Sequence, residues 1–387
     1  MAWTFVRDAL LLLALASFAY YVVAIVAAQR FFGLRDAVSA PSDFTPPISI
    51  LKPIYGLDRD TYENYASFCA QDYPDYEILF CVSDDEDPAI PVIEQIARDF
   101  PQRRIHLLIG SDPLGVSDKV NKLCRMAREA RHEILAISDS DVRVEPEYLR
   151  AIAAPFRDPA VGAVTCLYRG LTDGSLAANL EALGNSTDFT AGVLVAWLFA
   201  PVNFALGATM ATTKSCLAEI GGFESLVDHF SDDYELGNRI AARGHRVELS
   251  TFPVSIVYPH QTLADAFRHQ LRWNVSIRFS RPAGHLGLIF TQALPLAVLA
   301  AIFAPSAAWA ICFLVGYLLL RGISAWVVGV YGMCDAGVQK HLELLPLRDA
   351  FAFIVWVASF FPQRIHWRDR EFYVRDKRLV PTAPRQP

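Results

Sequence analysis

The chain has 387 residues, of which 53% are hydrophobic and 20% charged, with a formal net charge of −6. This mixture is too apolar for an ordinary soluble protein and too charged for a bundle of membrane spans alone, so a polar globular part joined to lipid-embedded helices is expected. The acidic balance lacks the basic footprint of a nucleic-acid binder, and scattered cysteines without a C-x-x-C pair offer neither a zinc site nor a disulfide framework.

Residues 9–28 (ALLLLALASFAYYVVAIVAA) form an uncharged apolar run of about the ~20 residues that span a bilayer. A signal peptide would have an apolar region of only ~7–15 residues before a small-residue cleavage site. The run therefore reads as an uncleaved anchor. Arg30 and Arg35 follow it, against Arg7 alone before it, which places the next domain in the cytosol by the positive-inside rule. Residues 37–47 (AVSAPSDFTPP) read as a linker, because Pro, Ser and Asp interrupt both helix and strand.

An alternation then begins. Strands are predicted at 48–54, 76–83, 104–110 and 132–138, and helices at 58–71, 91–100 and 118–130. Apolar runs alternating with helical periods define βαβ units and a parallel sheet. In such sheets ligands bind beyond the carboxyl ends of the strands. Two acidic clusters stand at such ends: Asp84-Asp85-Glu86-Asp87 and Asp139-Ser140-Asp141. No G-x-G-x-x-G follows the first strand, which argues against a dinucleotide-binding domain. Strands are also expected at 161–170 and 246–259, with a helix over 174–199 whose apolar second half touches the membrane surface.

Apolar spans are predicted at 286–304 and 307–330. The shorter stretch 346–361 contains Arg348 and Asp349 and is expected at the interface, or re-entering it, rather than crossing. The basic tail beyond it (Arg364, Arg368, Arg370, Arg375, Lys377, Arg378) favours a cytosolic end. The expected division is an anchor at 1–36, a cytosolic catalytic domain at 47–280, membrane or interfacial helices at 281–363, and the tail at 364–387.

Four groups of side chains carry chemistry. Asp139 and Asp141 are the candidate ligands of Mg²⁺ or Mn²⁺, hard cations that prefer oxygen and often bind through one or two carboxylates plus substrate phosphates. Such acidic strand ends also serve merely to face solvent or to cap a helix. Asp84, first after its strand, is placed to meet a ligand, whereas Asp85 to Asp87 read as a solvated loop. Asp233, within Ser231-Asp232-Asp233-Tyr234-Glu235, stands at a helix start, where it either caps the helix or accepts a proton from a hydroxyl. His269, Arg272 and Trp273 share one helical face by their i, i+3, i+4 spacing. Arg suits a diphosphate and an indole suits the apolar face of a sugar or lipid, although interfacial anchoring uses the same residues.

Taken in order, these elements resemble the family 2-like processive and lipid glycosyltransferases. More narrowly the chain resembles the ceramide glucosyltransferase family (family 21), with its bacterial hopanoid-associated branch nearest. The matching stretches include SILKPIYG (49–56), FCAQDYPDYEILFCVSDDEDPAI (68–90), DKVNKL (118–123), SDSDVRV (138–144), FSDDYELGNRIAARGHRVELS (230–250) and HQLRW (269–273). The resemblance implies an α/β, GT-A type domain with a mostly parallel sheet, flanked by N- and C-terminal transmembrane helices. It also implies inverting, metal-assisted transfer from a UDP-sugar to a membrane lipid. Residue by residue, Asp84 matches the aspartate near the nucleoside, Lys119 the basic residue near the nucleotide, and Asp139 and Asp141 the diphosphate and metal group. Asp233 matches the general base, and His269, Arg272 and Trp273 the element that closes on diphosphate and acceptor. His269 departs from the Gln or Arg of that element. Asp141 stands where animal ceramide enzymes resemble Asp-Ser-Gly, which favours direct metal binding here.

The expected reaction is GlcNAc transfer from UDP-GlcNAc to a bacteriohopanetetrol hydroxyl at the bacterial inner membrane, by a multi-pass protein with its catalytic domain in the cytosol. Glucose transfer from UDP-glucose to ceramide is the alternative. Trp197 and Phe199 are expected to help gate the lipid. A transporter with a nucleotide-binding domain is disfavoured because the predicted spans carry almost no charge. A processive synthase would need more spans.

Overall fold

The computed structural model describes residues 2–35, 43–361, 365–367, 370–375 and 378–381. The expected linker therefore lies partly outside the described residues, as do Arg364, Arg368 and Lys377 of the tail. The chain forms two compact units. One comprises Met1–Gly33, Arg169–Ala200 and His260–Gln363, the other Leu34–Tyr168, Pro201–Pro259 and Arg364–Pro387. Each is assembled from three separate stretches.

The second unit is built on an eight-stranded mixed sheet. Its strands are β1 (Ile48–Pro53), β2 (Tyr76–Val82), β3 (Arg104–Ile109), β4 (Ile134–Ser138), β5 (Val142–Arg143), β6 (Val161–Leu171), β7 (Thr209–Thr213) and β8 (Arg246–Val257), in the order β3-β2-β1-β4-β7-β6-β8-β5. β3, β2, β1 and β4 run parallel, and β7 is antiparallel to both β4 and β6. All six expected strands are present; β5 and β7 were not anticipated. β7 (TMATT) lacks both the length and the alternation that mark a strand in sequence. The register sets Ile50 beside Ile78 and Ala136, so the acidic segments after β2 and β4 leave the sheet at one edge.

The central strands read as continuous apolar runs because both faces are covered. On the helix Asp118–Glu129, Val120, Leu123, Cys124 and Met126 are buried. Its N-cap is Ser117, whose side chain accepts from Val120 N, satisfying one of the otherwise unpaired first-turn donors. The helix Asp232–Ala242 approaches the segment before β7 so closely that a Cβ on Gly237 would stand 2.3 Å from Ala205 N. Only glycine permits that approach, which brings the start of this helix to the Gly207 turn. The basic tail includes a small antiparallel sheet, Ile365–Trp367, Arg370–Arg375 and Arg378–Pro381.

The other unit is helical. Among the described residues, two helices are long and apolar enough to cross a membrane, Phe5–Phe32 and Ala307–Gly332. The expected span 286–304 is broken into Pro282–Thr291 and Ala293–Ile302, bent by 53°. The cause is local: Pro295 has no N–H for the Thr291 carbonyl and its ring crowds that carbonyl. The helix Leu345–Ala358 has 14 residues, roughly 21 Å at 1.5 Å per residue, against a hydrocarbon core of about 30 Å. Ala14, Leu296, Ala300 and Phe313 form one packed cluster, and Tyr21, Ala293, Ala297 and Tyr317 another. The expected helix over 174–199 is interrupted by a π-helical stretch, Gly184–Phe189, a feature common where a side chain must be re-aimed. Gly184 faces the Arg348 guanidinium, which a Cβ there would meet at 2.3 Å. The spans are not free of charge. Arg321 is buried and bonds Asp349 and Asp188, with Asp349 also accepting from the Tyr317 hydroxyl. Trp197 packs edge-on against Phe31, ring centroids 5.1 Å apart, whereas Phe199 is exposed.

Candidate active site

The end of β4 delivers Asp139 into a turn closed by Val142 N donating to Asp139 O at 3.3 Å. Lys119, in the first turn of its helix, places Nζ 2.8 Å from Asp139 Oδ1 and 3.4 Å from Asp232 Oδ2. Asp233 follows Asp232 at the start of its helix and accepts from Tyr234 N at 2.7 Å. A Cβ on Gly207 would meet Asp233 Oδ2 at 3.1 Å and Asp139 Oδ2 at 3.7 Å, so both carboxylates border the same small space. Three sequence-predicted residues, Lys119, Asp139 and Asp233, are thus brought together.

Charge in this cluster is unevenly matched. Burial pushes the Asp233 carboxyl up to about 6, with Asp232 adding to the rise and Lys119 opposing it. Burial also raises Asp141 to about 7, reinforced by Asp139 and Asp58 and opposed by Lys52. Burial works against the charge of Lys119, but Asp139 and Asp232 outweigh it and hold the ammonium well above its ordinary range. Lys52, on β1, is buried, lies 3.8 Å from the centre of the Phe68 ring, and donates to the Asp139 carbonyl at 2.8 Å. Burial brings it down to about 7 despite Asp139, Asp141 and Asp58.

Among the described residues, no three His, Cys, Asp or Glu side chains are grouped to hold a metal ion by themselves. Asp139 and Asp141 nevertheless fit Mg²⁺ or Mn²⁺ held partly by substrate phosphates, since such ions need only one or two protein carboxylates. Burial leads the rise of Asp141, and the negative charge of Asp139 and Asp58 that adds to it is what a divalent cation would offset.

Asp84 stands apart from this cluster in its described contacts. It is exposed, and its carboxylate accepts from Glu86 N at 3.1 Å, shaping the loop. Asp87, expected in a solvated loop, accepts from Gly56 N at 3.1 Å and Ala89 N at 2.9 Å, fastening the loop to the end of β1. His269, Arg272 and Trp273 lie on the helix Leu263–Ser280, in the helical unit. A capping box between Thr262 and Asp265 starts that helix. The His269 and Trp273 rings meet at a tilt of 58° with centroids 4.8 Å apart, as their spacing predicted. All three side chains are half-buried.

Lys52, Asp58, Asp232 and Gly207 were not singled out from sequence. A lysine inside the apolar strand ISILKP was a usable signal, because a buried ammonium needs partners. Gly207 carried none.

A mostly parallel α/β sheet with a carboxylate cluster beyond its strand ends is the framework of a GT-A glycosyltransferase. The chain belongs to glycosyl transferase family 21, whose model matches residues 9–380. Ceramide glucosyltransferase 1 of Caenorhabditis elegans is 28% identical over 234 residues, covering 60% of this chain and 50% of that protein. Ceramide glucosyltransferase 3 of the same organism is 23% identical over 389 residues, covering 92% and 79%. The match thus spans about half the length of the first relative and most of the second. Among solved structures, a mannosyltransferase of Pyrobaculum calidifontis in complex with GDP-Man and Mn²⁺ is similar, at 18% identity and a TM-score of 0.48, covering 90% of this chain and 99% of that one.

Proposed function

We propose that the chain transfers glucose from UDP-glucose to a hydroxyl of ceramide at a membrane surface, with inversion at the sugar. The observation that carries this reading is the Asp139–Lys119–Asp232 ion cluster bordering Asp233 at the sheet edge, in a family 21 chain whose reported curated relatives are ceramide glucosyltransferases. Those relatives lend no support to the expected GlcNAc transfer to a hopanoid, and the ceramide alternative fits them at least as well.

In this mechanism Asp233 takes the proton of the acceptor hydroxyl. Its raised carboxyl keeps it close to neutrality, where a general base works best. The acceptor oxygen attacks the anomeric carbon as the bond to the diphosphate breaks, and UDP departs from the opposite face. Lys119 is placed to offset charge on the phosphates, a preorganised positive group of the kind that lowers such barriers. Asp139 and Asp141 would hold the divalent ion, which when bound neutralises diphosphate charge. Asp84 keeps its assignment to the nucleoside, and His269, Arg272 and Trp273 theirs to diphosphate and acceptor; these rest on the motif. The helices Phe5–Phe32 and Ala307–Gly332 anchor the protein, with Arg30 and Arg35 favouring a cytosolic catalytic unit.

The test offers the purified chain in detergent UDP-glucose or UDP-GlcNAc against ceramide or bacteriohopanetetrol, with Mg²⁺ or Mn²⁺, and reads lipid products by mass spectrometry. Hexosylceramide, absent with Asp233→Asn, supports the reading. A HexNAc-shifted hopanoid replaces its substrates but keeps its chemistry. No product and no UDP binding overturn it.

A further inference from the structure

Glu181, on the helix Leu176–Leu183, is a fully buried carboxylate. Three side chains remote in sequence close on it. His269 Nδ1 lies 2.5 Å from Oε1, Gln270 Nε2 donates to the same oxygen at 3.0 Å, and Gln261 Nε2 donates to Oε2 at 2.6 Å. Burial alone would raise this carboxyl, but the bonds led by His269 hold it below its ordinary value, so it is ionised at neutral pH.

The arrangement is braced from behind. Arg348 Nη2 reaches Gln270 Oε1 at 3.5 Å, and Arg348 Nε lies 3.2 Å from Asp188 Oδ2. On its other side the His269 ring rests on Trp273. With Nδ1 engaged, Nε2 is the ring nitrogen left for a ligand, and it makes no hydrogen bond among the described residues. About a third of the side chain, 32%, remains exposed.

We propose that Glu181 is a positioning residue, fixing the His269 ring so that Nε2–H is presented to a phosphate oxygen of a nucleoside diphosphate. This deepens the glycosyltransferase reading and rests on it. A neutral glutamine at 181 would suffice to tie Gln261 and Gln270 together. A buried charge is justified only opposite a group that carries or takes a proton, and His269 is the one titratable side chain hydrogen-bonded to Glu181 among the described residues. An imidazole whose second nitrogen is held by a carboxylate has a defined tautomer and orientation. When both ring nitrogens donate, Glu181 offsets the imidazolium charge. This is how a histidine substitutes for the Gln or Arg expected at this place in the motif.

The experiment measures UDP affinity by calorimetry on the full chain in detergent with Mg²⁺, for wild type, Glu181→Gln, His269→Ala and the double variant. Each single change is expected to weaken UDP binding roughly tenfold, the lower range for loss of an orienting partner. The double variant should bind within about twofold of His269→Ala, because the two residues act as a unit. Losses that simply multiply would make Glu181 a packing residue and overturn the proposal. The ring is read independently on wild-type protein labelled with ¹⁵N-histidine, assigned through His269→Ala. With UDP bound, protons on both Nδ1 and Nε2 are expected; a bare Nδ1, or an Nε2 that stays bare, overturns the proposal even if no Glu181 variant folds. A wild-type chain that fails to bind UDP overturns the glycosyltransferase reading and the ligand named here, whereas UDP binding with multiplicative losses overturns the Glu181–His269 pairing alone.

Discussion

Lys119 Nζ lies 2.8 Å from the Asp139 carboxylate, joining the end of β4 to the first turn of the helix Asp118–Glu129. The same ammonium reaches Asp232 at 3.4 Å, so one cation balances carboxylates from two other elements. Replacing it by methionine keeps the volume and removes the charge. Lys119→Met should cost on the order of 1 kcal/mol of stability, because the pair is only part-buried, and weaken UDP binding at least about tenfold. Denaturant unfolding and calorimetry check both, and unchanged UDP affinity would remove Lys119 from the donor site.

The raised carboxyls set a pH dependence. The Asp233 site should impose a rising acid limb on kcat/KM that levels off above about pH 6, because the base must be unprotonated. Asp232 is the largest charge contribution to that rise, so Asp232→Asn should move the limb to lower pH. A limb that stays in place, or moves up, would refute this electrostatic account.

Stability should run the other way. Asp141 and Asp233 lie above the ordinary carboxylate range, at about 7 and about 6, so between about pH 4 and those values the folded state holds protons the unfolded chain has released. Their contribution is present below about pH 4 and is lost as pH rises through 6 to 7. Asp141→Asn should flatten this fall, and Mg²⁺ should raise stability at pH 8 more than at pH 5 in wild type but not in Asp139→Asn. Unfolding curves at the two pH values decide it.

Gly207 tests the space beside the carboxylates. Gly207→Ala would bring a methyl within 3.1 Å of Asp233 Oδ2. Because the neighbour is a side-chain carboxylate, the fold should lose less than about 1 kcal/mol, while misplacing the base should lower kcat about tenfold or more. Full activity in the variant would place the reacting hydroxyl elsewhere.

Arg321 makes a different prediction. Its guanidinium is buried against Asp349 and Asp188, so Arg321→Met should destabilise the helical unit by about 3–5 kcal/mol by leaving carboxylates unpaired. Adding Asp349→Leu should restore part of that loss. Thermal unfolding in detergent tests the pair; equal melting for single and double variants would mean that Asp349 is not the partner that matters.

The alternating α/β sheet, the edge from which its acidic segments leave, the two long apolar helices and the helical face shared by His269 and Trp273 were all legible in the linear chain. Each depends on a local period, two for strands and 3.6 for helices, or on a run of apolar residues matched to a bilayer. A period survives in the linear order of residues, so it could be read. Packing settled which side chains meet across long separations: Lys52 under Asp139, Gly207 against Asp233, Glu181 holding His269, and Arg321 answering Asp349 and Asp188. It also placed Asp87, rather than Asp84, as the fastener of its loop to β1. Such pairings follow from how helices and strands pack, and a buried charge is tolerated only where packing supplies its partner. No local pattern around Glu181 or Gly207 announces that partner, because it arrives from elsewhere in the chain.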